Sequence, residues 1–161
     1  MSVAAVADQP GAALAGKTIL LVEDNPDDEA LTLRAFARNG IRQQVRVVRD
    51  GVEALDYFFA RGAYAGRDLS HQPTVTLLDL KLPRLNGLEV LRHLRADART
   101  RTLPVVILTS SREDQDLVQG YGLGANSYIR KPVDFNQFVE AVRQIGAYWL
   151  QLNENPPLSA A

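Results

Sequence analysis

The chain has 161 residues, of which 46% are hydrophobic and 23% are charged, and this composition suits one globular domain with its own core. A net charge of −1 at pH 7 offers no overall field for recruiting nucleic acid, and the absence of cysteine excludes disulfides, thiol nucleophiles and thiolate metal sites. No run of about 18 apolar residues is present, so we expect no membrane span, and a chain without disulfides is compatible with the cytoplasm.

The first 16 residues are rich in alanine and show no clear periodicity. They lack a basic start and contain Asp8, Pro10 and Gly11, so they make a poor signal peptide. We therefore expect a flexible N-terminal segment at 1–16, one domain at 17–152 and a C-terminal tail at 153–161.

Apolar runs and turn signals predict five strands, at residues 17–22, 45–48, 74–78, 105–108 and 125–129. A helix is predicted after each strand. The first opens at Asn25-Pro26, where asparagine caps the helix and proline occupies its first position. The last begins after Asp134 and extends to about Leu152. This alternation predicts an α/β domain, a parallel sheet with helices on both faces and the carboxyl ends of all strands at one edge.

The third predicted strand is mostly apolar and ends at Asp79. An unpaired carboxylate is costly inside such a core, so Asp79 is expected at the carboxyl edge, where open α/β sheets place their sites. On this segment alone, an aspartate that merely caps the following turn is an equally good interpretation. Three other strands also stop at polar groups, namely Glu23 and Asp24, Thr109, and Lys131, which favours a shared site.

The residue types at this edge point to phosphoryl chemistry. Clustered carboxylates repel one another unless a cation holds them, and oxygen ligands of this kind are typical of Mg²⁺. An ammonium group and a hydroxyl beside them would stabilise a phosphoryl group on Asp79. Taken singly, Lys131 could be a surface lysine and Thr109 a simple cap.

The sequence resembles the receiver domain of two-component response regulators over residues 17–150, through LLVEDN, LLDLKLPRLNG, VVILTSS and YIRKP in that order. The resemblance implies a flavodoxin-like, doubly wound sheet of strand order 2-1-3-4-5, and a protein that catalyses only its own phosphorylation and dephosphorylation. It implies Asp79 as phosphoacceptor, Thr109 as switch hydroxyl and Lys131 as phosphate partner.

The same resemblance implies a Mg²⁺ site formed by Asp24, Asp79 and the backbone carbonyl of Lys81, with Glu23 acting mainly through water. It implies Tyr128 as a rotating aromatic, although alone this residue is an ordinary half-buried strand tyrosine. A cis peptide bond is expected at Lys131-Pro132.

A narrower resemblance is to regulators paired with bacterial phytochromes. The long segment between Asp50 and Thr74, the DLKLP and SSREDQD wording and the extended last helix carry it. It implies a single-domain protein whose partner is a histidine kinase of the phytochrome type. About ten residues follow Leu152, so we expect output through protein contact or transfer to a histidine phosphotransfer protein.

The last predicted helix carries an apolar stripe that is either a core face or a surface for a second copy. The resemblance favours a homodimer through this helix and the tail. The candidate dimer residues are Phe138, Val142, Ile145, Tyr148, Trp149 and Leu152, and Leu150 adds apolar surface beside them.

Alternative functions remain. An Asp-nucleophile phosphohydrolase of the dehalogenase type needs an acid two residues after the nucleophile, where this chain has Lys81. A phosphorylation-independent interaction module predicts a broken site, yet this chain keeps every expected group. A flavodoxin-like nucleotide binder needs a phosphate loop after the first strand, and EDNPDDE has the wrong charge for that.

Overall fold

A computed structural model describes residues 14–158. Its five strands are β1 Ile19–Val22, β2 Val45–Val48, β3 Val75–Leu78, β4 Val105–Thr109 and β5 Ser127–Arg130. All pair in parallel in the order β2-β1-β3-β4-β5, which confirms the predicted sheet. Val22 lies beside both Val48 and Leu78, so β1 and β3 end at the same level.

The five helices are α1 Pro26–Arg38, α2 Gly51–Phe59, α3 Gly87–Ala96, α4 Asp114–Gly122 and α5 Phe135–Gly146. Short 3₁₀ turns occupy Arg42–Gln44 and Gly62–Tyr64. The helix starts follow the sequence: the Asn25 side chain accepts from the backbone N–H groups of Asp27 and Asp28, and the Asp134 side chain accepts from that of Gln137. Within residues 14–158, no helix has the length and apolar character needed to cross a membrane.

Two hydrophobic cores cover the two faces of the sheet. Because side chains alternate along a strand, Leu20 and Val22 of β1 face α2 and α3, while Ile19 and Leu21 face α1 and α5. Strands β1, β3 and β4 are buried along their whole length, as expected for central parallel strands. Because helices pack on both faces of the sheet, the strand ends that carry the polar groups are held in fixed positions.

The packed domain begins before residue 17. Leu14 is only 2% exposed and joins the core on the α1 and α5 face, and its carbonyl accepts from the backbone N–H of Lys17. Leu14 therefore packs with the domain three residues before the predicted boundary at residue 17, because its apolar side chain completes the core. Residues 1–13 lie outside the described part of the chain.

The last helix differs from its prediction in register. A π-helical turn, Ala147–Leu152, follows α5, and its i→i+5 bonding places Leu150 on the face of Ile145. Leu150 is consequently buried and does not add exposed apolar surface. Phe138, Val142 and Ile145 are also buried, because α5 covers the sheet with them, so these three dimer candidates are wrong as surface residues.

Candidate functional site

Asp79 follows β3 at the carboxyl edge of the sheet and is 8% exposed. Its Oδ1 atom accepts two hydrogen bonds, from the backbone N–H of Leu80 at 2.7 Å and from Thr109 Oγ1 at 2.9 Å. Both donors lie on neighbouring segments of the sheet edge. One carboxylate oxygen is thereby held in place.

Lys131 follows β5 and extends back toward the ends of β1 and β3. Its Nζ lies 2.6 Å from Glu23 Oε1, 3.7 Å from Asp28 Oδ2 and 3.9 Å from Asp79 Oδ2. Its backbone N–H donates to the carbonyl of Thr109 at 2.8 Å, which fixes the start of the side chain. One ammonium group therefore faces three carboxylates.

Glu23 ends β1 and is 1% exposed. Burial raises the pKa of Glu23 to about 7, although the hydrogen bond and charge of Lys131 oppose the rise. Burial acts to lower the pKa of Lys131, but the hydrogen bond to Glu23 and the charge of Asp79 outweigh it, so that pKa lies above its ordinary value. The Lys131 side chain therefore stays protonated and positively charged at this site.

Glu23, Asp24 and Asp79 each present a carboxylate oxygen, and these oxygens lie within 4.8 Å of one another. Two of these carboxylates are buried and Asp24 is exposed. Hard oxygen donors converging in this way fit a divalent cation such as Mg²⁺. Lys81 is exposed two residues after Asp79, and its carbonyl remains a predicted ligand.

Glycine at position 87 lets α3 begin directly under the acceptor. A Cβ atom there would lie 2.2 Å from the Asp79 carbonyl oxygen and 2.8 Å from Leu80 Cα, both of them backbone atoms. The Gly87 N–H donates to the Leu80 carbonyl at 2.9 Å. The Asn86-Gly87 turn therefore shapes the loop that carries Asp79.

Tyr128 lies on β5 and packs against the core beside Ile107 and Gly120. Its hydroxyl oxygen is buried, with no hydrogen-bond partner among residues 14–158. Whether it rotates stays a prediction.

The expected cis bond at Lys131-Pro132 is wrong in this structure. No cis peptide bond occurs in the described part of the chain, so this bond takes the trans form that X–Pro bonds ordinarily prefer. Lys131 reaches Glu23 from the trans backbone.

Sequence reasoning missed three residues of this region. Asp28, in the first turn of α1, contributes the third carboxylate near Lys131. Ser111 Oγ donates to Asp116 Oδ2 at 2.7 Å, and the Ser111 backbone N–H donates to Thr109 Oγ1 at 3.3 Å. Polar residues clustered in SSREDQD were the available signal, but their pairing depends on how the β4–α4 loop folds.

A family model described as the response regulator receiver domain matches residues 19–143. The chain belongs to this family. Receiver domains bind Mg²⁺ or Mn²⁺ at an acidic pocket, and they receive phosphoryl groups from histidine kinases. The carboxylate cluster of this receiver corresponds to such a pocket.

Similar proteins include several regulators of phytochrome signalling. The bacteriophytochrome response regulator RtBRR is 51% identical, with a TM-score of 0.70, covering 88% of this chain and 84% of that one. The phosphorylated cyanobacterial phytochrome response regulator RcpA is 37% identical, with a TM-score of 0.79, covering 87% of this chain and 98% of that one.

A relative with a different description is also similar. The probable methanogenesis regulatory protein FilR2 of Methanothrix harundinacea (strain 6Ac) is 43% identical over 86% of each chain.

Proposed function

We propose that this receiver accepts a phosphoryl group on Asp79 from a histidine kinase of the phytochrome type and signals through contacts with other proteins. The observation that carries the proposal is the environment of Asp79: one oxygen held by two donors, the other facing an ammonium group, and two more carboxylates beside it. The similarity to RtBRR and RcpA supports the kind of kinase.

The two oxygens of Asp79 have different surroundings. Oδ1 accepts from Leu80 and Thr109, whereas Oδ2 accepts no hydrogen bond from residues 14–158 and has Lys131 Nζ at 3.9 Å. Oδ2 is therefore the oxygen free to form a bond to phosphorus. As that bond forms, the phosphorus–nitrogen bond of phosphohistidine breaks, and the imidazole nitrogen keeps the electron pair and takes a proton from solvent.

The phosphoryl group carries about 1.5 to 2 negative charges at neutral pH, and these take the place of the single charge of the Asp79 carboxylate. Lys131 is placed to balance this charge, since its ammonium group already lies beside Asp79. The Thr109 hydroxyl can donate to a phosphoryl oxygen in place of Asp79 Oδ1. Glu23, Asp24 and Asp79 would hold Mg²⁺, which when bound supplies further neutralisation of phosphoryl charge.

The switch would begin when Thr109 leaves Asp79 Oδ1. The backbone of Thr109 is tied to that of Lys131, while its hydroxyl accepts from Ser111, so a turn of this side chain affects the β4–α4 loop. Changing a two-state equilibrium from about 1:99 to 99:1 requires about 5.5 kcal/mol of preference for one state.

Homodimerisation belongs to the same proposal. Tyr148 and Leu152 are 48% and 72% exposed beside the half-buried Trp149. These three residues, all in the π-helical turn, are what remains of the predicted dimer surface after the buried positions of α5 are removed.

The test is intact mass after incubation with Mg²⁺ and a small phosphate donor such as acetyl phosphate. We expect one added phosphoryl group on the native chain, and none on Asp79→Asn or in the presence of EDTA. The matched control is Asp27→Asn, which removes an exposed carboxylate from the first turn of α1. Absence of the adduct on the native chain, or its survival in Asp79→Asn, would contradict the proposal.

Purified phytochrome-type kinase labelled with phosphate should then transfer its label to the native chain. If an unrelated histidine kinase transfers its label at an equal rate, the proposed phytochrome-type kinase is contradicted. Asp79 would still be the proposed acceptor.

A further inference from the structure

A cavity of about 560 Å³ lies at the amino-terminal edge of the sheet, away from Asp79. It is bordered by Thr18 before β1, Arg46 of β2, Tyr57 of α2, and Tyr64, Arg67 and Ser70 between α2 and β3. No residue of the acceptor site borders it. Its volume falls in the range of small-molecule binding sites, so the chemistry of its walls decides what it could hold.

Arg67 is a half-buried cation that has only neutral partners. Its Nε donates to the Tyr57 carbonyl at 2.7 Å, its Nη1 to the His71 carbonyl at 2.8 Å and its Nη2 to Gln72 Oε1 at 2.7 Å. Within residues 14–158 it forms no ion pair. A guanidinium has five N–H groups, so two are left for another ligand. A cation that loses water without gaining a negative partner is costly, which favours an anion here.

Arg46 brings a second cation to the same cavity. It pairs with Leu20 in the sheet, on the face that α2 covers, and its side chain is exposed. Its guanidinium has no ion-pair partner in the described part of the chain. Burial is the main cause that lowers the pKa of Arg67, and the charge of Arg46 adds to it. Two like charges beside one cavity repel each other, and an anion between them would relieve the repulsion.

Asp68 is the carboxylate among the residues that border the cavity, and its oxygens already have partners. Oδ1 accepts from the backbone N–H of Ser70 at 2.9 Å and from its hydroxyl at 2.8 Å, and Oδ2 lies 3.5 Å from His71 Nδ1. Asp68 is also exposed, so solvent screens its charge. It therefore offsets little of the positive charge of Arg46 and Arg67.

We propose that this cavity binds a small organic molecule that carries a phosphate, with the phosphate held between Arg46 and Arg67. The fork of a guanidinium fits phosphate oxygens, and a phosphate dianion matches two cations better than a single carboxylate does. A phosphate fills only part of a cavity of about 560 Å³, which leaves room for the rest of the molecule beside Tyr57 and Thr18. The site is separate from Asp79, so this inference does not rest on the proposed function.

The test is calorimetric titration of the native chain with glycerol 3-phosphate, inorganic phosphate and acetate. EDTA is present throughout, so that no Mg²⁺ draws phosphate to the acceptor site. Glycerol 3-phosphate should bind at least about threefold more tightly than inorganic phosphate, because its organic part contacts the cavity, and acetate at least about tenfold more weakly. The absence of saturable binding at millimolar concentrations, or acetate binding as tightly, would overturn the proposal. Equal binding of inorganic phosphate would overturn the organic ligand and assign the site to free phosphate.

Arg46→Gln should weaken binding of glycerol 3-phosphate at least about tenfold, because a charge-assisted hydrogen bond is lost. Arg46→Lys should fall between this variant and the native chain, since it keeps the charge but loses the fork. The matched control is Arg92→Gln, which removes an exposed arginine charge from α3 and should change binding by less than about twofold. Equal losses in Arg46→Gln and Arg92→Gln would show that only overall charge attracts the ligand, and would overturn the site.

Amide NMR of the native chain locates the ligand without any variant. The amide signals of Arg46, Ser70 and His71 should shift when glycerol 3-phosphate is added, whereas those of Leu80 and Thr109 should not. Shifts confined to the acceptor site would overturn the proposal.

Binding at this cavity and phosphorylation of Asp79 can fail separately. Asp79→Asn should bind glycerol 3-phosphate within about twofold of the native chain, because the two sites share no residue. If acetyl phosphate phosphorylates Asp79 but glycerol 3-phosphate does not bind, this inference alone fails. If glycerol 3-phosphate binds but Asp79 is not phosphorylated, the proposed function alone fails.

Discussion

Lys131 shows how one residue can hold a cluster of like charges. Its ammonium group lies 2.6 Å from the buried Glu23 and within 4 Å of Asp28 and Asp79. Without it, those carboxylates would face one another across the edge of the sheet, in a setting that screens charge poorly. The same group lies where a phosphoryl group on Asp79 would place its new charge.

Lys131→Gln should therefore slow phosphorylation of Asp79 at least about tenfold, because preorganised charge at the transferring group is lost. A time course of intact mass with acetyl phosphate and Mg²⁺ measures the rate. The backbone bond from residue 131 to Thr109 is kept, so the loop stays in place. Lys17→Gln, the same change at the other end of β1, should leave the rate unchanged. If Lys131→Gln is phosphorylated at the native rate, Lys131 does not assist phosphorylation of Asp79.

At the scale of elements, close approach of α3 to the acceptor loop depends on Gly87. The first turn of α3 has a complete capping box between Asn86 and Glu89, which fixes where the helix begins. That start leaves no room for a side chain under Asp79, as the 2.2 Å distance from a Cβ to the Asp79 carbonyl oxygen shows. The start of α3 thus determines how closely this helix approaches the loop that carries Asp79.

We expect Gly87→Ala to lower the free energy of unfolding by about 1–3 kcal/mol and to slow phosphorylation, because backbone atoms must move to admit the methyl group. Urea denaturation and intact mass measure the two effects. Gly122→Ala at the end of α4, where a Cβ would meet nothing within 4 Å, should be neutral or slightly stabilising. Equal behaviour of the two variants would show that the contact at Gly87 is relieved elsewhere.

Element starts and strand ends were predictable because they depend on local signals. Asn25 and Asp134 each accept from the backbone of the first helical turn, as their sequence positions indicated. The Ser111–Asp116 pair was not predictable, because it depends on a loop whose shape local sequence does not determine.

At the scale of the whole molecule, the sequence did not show where the hydrophobic core begins and ends along the chain. An alanine-rich stretch gave no period that would mark Leu14 as buried, since a single apolar residue carries no periodicity. The apolar stripe of α5 fitted both a core face and a dimer surface. Burial of Phe138, Val142 and Ile145 assigns the α-helical part of this stripe to the core, and its exposed apolar residues Tyr148 and Leu152 lie in the π-helical turn.

This division predicts opposite effects for two substitutions on the same chain end. Leu152→Glu should shift a homodimer toward monomer without lowering the melting temperature, because Leu152 is 72% exposed. Phe138→Ala should instead cost about 3–5 kcal/mol of stability, because it empties a core position. Light scattering after size exclusion at several concentrations measures assembly, and thermal unfolding measures stability.

The matched control is Gln151→Glu, which places the same charge on an exposed neighbour of Leu152 and should leave assembly unchanged. A native chain that is monomeric at all concentrations would end the dimer proposal, while leaving the chemistry of Asp79 untouched.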